Sequence, residues 1–109
     1  MIDIETLKHE IVKRLKPLQP DKIILFGSYA YGTPNEESDI DIFILKDISM
    51  ENVKDFRLEA RKLLRPLIFH EHLGIDILAD SEERVKERIN IIKDQFYKEI
   101  INKGVVLYG

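Results

Sequence analysis

The chain has 109 residues, 44% of them hydrophobic and 34% charged, with a formal net charge of −3 and no cysteine. That length suits one domain with a modest core and little room for a separate acceptor-binding domain. The missing cysteine excludes disulfides and thiolate metal sites, and the acidic balance argues against direct nucleic-acid binding, which usually needs a basic excess.

The first ten residues, MIDIETLKHE, are acidic and periodic, unlike a signal peptide. No apolar run approaches the ~20 residues a membrane span needs. The expectation is therefore a cytoplasmic, non-membrane protein with a single domain over residues 1–109. Ile4, Leu7, Ile11 and Leu15 share one helical face, Asp3 suits the N-cap, and Pro17 marks the end. Lys22 to Phe26 reads as a buried strand that stops at Gly27-Ser28, with a short helical turn after Ser28. Thr33 to Glu37 has the composition of a loop.

A second strand is expected from about Ser38 to Leu45, apolar on both faces apart from Asp39 and Asp41 and hence central in a covered sheet. Ser49 can cap a second helix with a buried stripe of Val53, Phe56, Ala60, Leu63 and Leu64, stopped by Pro66. The polar face of that helix, with Arg57, Arg61, Lys62 and Arg65, reads as solvated. His70-Glu71-His72 falls in a loop of exposed histidines, and Ile75 to Ala79 forms a third strand holding Asp76. Asp80 with Glu83 reads as the capping box of one last helix, with Val85, Ile89, Ile92 and Phe96 on its buried side. Gly104 stops it, and Val105 to Tyr108 makes a short final strand. Strands interrupted by helices give an α/β fold, a small mixed β-sheet covered by helices. The first two strands suit a hairpin-like antiparallel pair, and the helical crossover suits parallel pairing of the second and third.

Side chains alternate along a strand, so Asp39 and Asp41 point to one face. Two carboxylates there repel each other and lose solvation, costs that a bound cation relieves. Oxygen donors without cysteine favour Mg²⁺, with Mn²⁺ as an alternative, over zinc. Gly27 lets the backbone approach a ligand, and the amides after it, with the Ser28 hydroxyl, suit a phosphate. If the second and third strands pair in parallel, Asp76 lies beside the acidic pair.

Gly27-Ser28, ten intervening residues and then Asp39-Ile40-Asp41 resembles the signature of the polymerase-beta-type nucleotidyltransferase superfamily. The short chain, GSYAYG and SDIDI are most similar to the minimal nucleotidyltransferases, the MntA-type antitoxins of HEPN/MNT pairs, over about Ile4 to Ala79. The resemblance implies a nucleotidyltransferase fold, ATP as substrate, and Mg²⁺ held by Asp39, Asp41 and Asp76 as catalytic residues. It also implies nucleotide contacts at Gly27, Ser28 and Ser38, and transfer of AMP to a tyrosine of a HEPN-type toxin. Many relatives carry arginine where Tyr31 stands. Two other functions remain open at this point: a catalytically weak binder that neutralises its partner by occlusion, and a small-molecule or RNA nucleotidyltransferase served by a separate substrate-binding subunit.

Overall fold

A computed structural model describes residues 3–32 and 39–109. Its elements are α1 (Ile4–Leu15), β1 (Lys22–Phe26), α2 (Ser28–Tyr31), β2 (Ile40–Leu45), α3 (Val53–Glu71), β3 (Ile75–Asp80), α4 (Glu82–Asn90), α5 (Gln95–Lys103) and β4 (Val105–Tyr108). The four strands form one sheet in the order β3-β2-β1-β4. β1 pairs antiparallel with β2 and with β4, while β2 and β3 run parallel. The mixed sheet, the antiparallel pair and the parallel crossover all follow the sequence pattern.

Alternation along the strands sorts the core into two layers. Leu25, Ile42 and Ile77 share one layer with Ile11 and Leu15 of α1 and with Leu64 and Leu67 of α3. Ile24, Phe43 and Leu45 face the other way, against Val85 of α4 and Ile100 of α5. Helices thus cover both faces, which is why β1 and β2 are apolar on both sides. The carboxylate of Asp3 caps α1, accepting from the Thr6 amide at 2.9 Å.

Several expectations need correction. Pro66 does not stop its helix but lies inside α3, which continues to Glu71. A proline removes one backbone hydrogen bond and strains the preceding turn. Here Leu64 before it and Leu67 after it are both buried in the same layer, and that burial holds the helix through the defect. His70 therefore lies on a helix rather than a loop, and His72, at φ 52, forms its left-handed C-cap; both are exposed.

The expected last helix is two helices, broken between Asn90 and Gln95. Lys93 turns the chain at φ 62, and Asp94 restarts it by accepting from the Tyr97 amide at 3.0 Å. The N-cap before α4 is Ser81, which accepts from the Arg84 amide at 3.1 Å, not Asp80. Asp80 is buried and instead accepts from the Ser81 amide and pairs with Arg84. Ile92 and Phe96 consequently leave the buried side, at 65% and 52% exposure.

The arginine face of α3 is also more than solvated. Arg57 donates from Nε to the Ile77 carbonyl at 2.8 Å, and Arg61 to the Ile75 carbonyl at 3.3 Å. Both carbonyls lie on the outer edge of β3, so the two side chains cover part of an open sheet edge.

Candidate active site

The site is built from three strand ends. The register sets Phe26 of β1 opposite Asp41 of β2, and Asp41 opposite Asp76 of β3. Phe26, Asp41 and Asp76 therefore form a row across one face of the sheet, with neighbouring strands roughly 4.8 Å apart. Behind it, Phe43 and Leu78 belong to the apolar layer under α4 and α5. On its other side, Asp76 and Asp39 are exposed and Asp41 is half-buried.

Asp41 is the electrostatic centre. Burial raises its pKa above the ordinary 3.8, and the charges of Asp76 and Asp39, with a hydrogen bond to Asp76, raise it further. Each of these causes disfavours a second or third negative charge in one place. Asp76 thus lies on the same face as Asp41, close enough for its charge to act on it, as the parallel pairing predicts. Asp39 immediately precedes β2, and its carboxylate occupies the space over Gly74, whose carbonyl accepts from the Ile40 amide at 2.8 Å. Among the described residues, no group of three or more histidine, aspartate or glutamate side chains is arranged to hold a metal ion. The oxygen-only donor set fits a hard cation chemically, but the three carboxylates are not gathered into a ready cage.

The turn after β1 completes the site. Gly27 sits at φ 75, a conformation that side-chain-bearing residues rarely adopt, and the Asp41 carboxylate fills the place where its Cβ would be. The carbonyl of Gly27 accepts from the amides of Ala30 and Tyr31 at 3.0 and 3.1 Å, closing the single turn of α2. The leading amides of that turn have no carbonyl to bond within it. The turn and the acidic row are thus in direct contact. Ser38 lies outside the described residues. Tyr31 ends α2 at 42% exposure.

Residues 6–109 match the nucleotidyltransferase domain family. The chain belongs to that family. It is a nucleotidyltransferase, and two Methanocaldococcus jannaschii proteins are similar to it over nearly their whole length. MJ0604, provisionally named a protein adenylyltransferase, is 36% identical over 96% of this chain and 90% of its own. MJ0141, provisionally named likewise, is 36% identical over 94% of this chain and 92% of its own. Among solved structures, a toxin-antitoxin with AMP-PNP shares the nucleotidyltransferase's fold at a TM-score of 0.59 and 25% identity, covering 94% of this chain and 73% of that one. A mutant of the toxin-antitoxin MntA-HpeT gives 0.58 and 23%, again over 94% and 73%.

The nucleotidyltransferase also carries a wall that its sequence did not announce. Phe96, at the start of α5, stands edge-on over Phe26 with ring centroids 5.9 Å apart and an interplanar angle of 80°. Tyr97 stands over Phe43 in the same way, at 5.4 Å and 89°. Arg88 lies 4.7 Å above the Tyr97 ring and pairs with Asp94 at 2.9 Å. Helical spacing alone put Phe96 on a buried stripe. The break at Lys93, after which Phe96 packs on Phe26, has no glycine to signal it, although Asp94 is a recognisable N-cap.

Proposed function

We propose that this nucleotidyltransferase transfers AMP from ATP to a tyrosine hydroxyl of a HEPN-type toxin, and so acts as its antitoxin in the cytoplasm. The observation that carries the chemistry is the Asp41 carboxylate lying directly over Gly27 while Asp41 pairs across the strands with Asp76. An anion-binding turn touching a carboxylate row is the arrangement phosphoryl chemistry needs. The relatives provisionally named protein adenylyltransferases support AMP and a protein acceptor. The toxin-antitoxin crystallised with AMP-PNP supports an adenine nucleotide and a toxin partner.

In this reading Asp39, Asp41 and Asp76 would hold Mg²⁺, or Mn²⁺, which supplies stabilisation of phosphate charge when bound. The turn amides and the hydroxyls of Ser28 and Ser38 hold the phosphates. A carboxylate of the row takes the proton of the acceptor hydroxyl. The acceptor oxygen forms a bond to the α-phosphorus, the bond to the bridging oxygen breaks, and pyrophosphate leaves with that electron pair. Residues 1–109 serve as one minimal catalytic domain, and the acceptor docks from outside.

The ungathered carboxylates favour one second reading, a weak enzyme that neutralises its partner by occlusion. A small-molecule or RNA acceptor presented by another subunit is the third. Incubation with labelled ATP, Mg²⁺ and the product of the neighbouring gene separates them. AMP added to the partner, and lost with Asp41→Asn, supports transfer. Full neutralisation by Asp41→Asn without any mass gain supports occlusion and overturns the transfer reading.

A further inference from the structure

We propose that Phe96 is the stacking platform for the nucleobase of the bound nucleotide, and so a positioning residue for the transfer. The inference rests on the reading of the acidic row as a nucleotide site. Phe96 is 52% exposed although its ring is fixed edge-on against the buried Phe26. Phe26 is the cross-strand neighbour of Asp41 and directly precedes the Gly27-Ser28 turn. One end of the site is thus acidic, the Gly27-Ser28 turn touches that end, and beside it stands an aromatic ring that packs on Phe26 with part of its surface open to solvent. A nucleoside triphosphate has that same order of chemistry, charged at one end and flat and aromatic at the other. The ring has two aromatic neighbours, since Phe96 also meets Tyr97 at 6.2 Å, which restricts it before a base stacks on it. Asp94 caps α5 beneath it, which fixes where Phe96 leaves the backbone.

Stacking of a base on an aromatic side chain changes affinity by roughly 5- to 150-fold when the ring is removed. The chain has no tryptophan, so Phe96→Trp introduces a single fluorophore at the platform. With Mg²⁺ present, ATP is expected to quench that tryptophan, and inorganic tripolyphosphate is expected to bind without quenching it. Phe96→Ala is expected to weaken ATP binding, measured by calorimetry, by roughly 5- to 150-fold with tripolyphosphate affinity unchanged, while Phe96→Trp retains ATP. Equal loss of both ligands in Phe96→Ala means a structural role and overturns the proposal. Unchanged ATP affinity with lost transfer to the partner makes Phe96 a docking contact for the acceptor, and also overturns it. If the unaltered protein binds neither ATP nor tripolyphosphate, the nucleotide-site reading itself falls, and the platform with it.

Discussion

Asp41 is electrostatically unfavourable in the ligand-free protein, through burial and the charges of Asp76 and Asp39. Its raised pKa means that the folded state binds a proton more tightly there than the unfolded chain does. The stabilising contribution is fully present below the ordinary carboxylate value of 3.8 and is lost as pH rises through the higher folded value. At neutral pH Asp41 is therefore a liability in the absence of a cation. Asp41→Asn is expected to raise the Tm of the ligand-free protein by a few degrees at neutral pH and to flatten that part of its pH dependence. The same variant should lose transfer activity by roughly 10²-fold or more. Thermal scans from pH 3 to 8 beside an AMP-transfer assay check both; a lower Tm in the variant would show that Asp41 is a net stabiliser. The two glycines that touch the acids should behave differently. At Gly27 an added methyl meets Asp41 and the backbone sits at φ 75, so Gly27→Ala is expected to cost about 1 kcal/mol or more of stability and the activity as well. At Gly74 the added methyl meets only the flexible end of Asp39, so Gly74→Ala should displace that carboxylate and impair activity with a smaller loss of stability, read by urea denaturation.

At the scale of elements, Pro66 offers the clearest comparison of local and tertiary terms. A proline in a helix interior costs about 3 kcal/mol, and burying a leucine recovers about 1.5–3. Leu67 and the half-buried Ile68 and Leu73 beyond it lie against the α1-α3 layer, enough to carry the helix past the defect. Leu67→Ala is expected to destabilise the protein by about 2–5 kcal/mol in urea titrations, whereas a leucine in a solvent-exposed loop would cost little. The comparison also shows what the sequence could reveal. β1 and the cap at Asp3 were legible because one short apolar run or one side chain decides each. The continuation of α3, the break at Lys93 and the cover that Arg57 and Arg61 give to β3 were not, because each depends on what the segment packs against. The same divide runs through the site. Asp39, Asp41 and the Gly27-Ser28 turn lie within one spaced motif, and Asp76 needed only the inference of parallel pairing. Phe96 needed the direction of α5, which no local pattern encodes.

At the scale of the whole molecule, the two layers of helices among the described residues leave one end of one sheet face uncovered, and the acidic row is at that end. No helix among the described residues is long and apolar enough to cross a membrane. If the proposed site takes Mg²⁺ and ATP, their binding relieves the repulsion between the carboxylates and should stabilise the fold. A hundredfold excess of ligand over Kd contributes about 2.7 kcal/mol. A rise in Tm of several degrees with Mg²⁺ and ATP together, absent when EDTA is added, is expected by differential scanning fluorimetry. No shift under those conditions would contradict a nucleotide site at this end of the sheet.

The parallel pairing of β2 with β3 has a consequence for the time course of folding. Asp39 and Asp41 come from the same antiparallel hairpin as the glycine turn, a unit that closes across a short stretch of chain. Asp76 is joined to them across the whole of α3, a closure between residues much farther apart in sequence. A collapsed chain could own the hairpin, the turn and two of its acids and still be inert. After dilution from denaturant, activity is therefore expected to return with the last kinetic phase of structure recovery, so catalysis by this small domain would serve as a reporter of its longest-range closure.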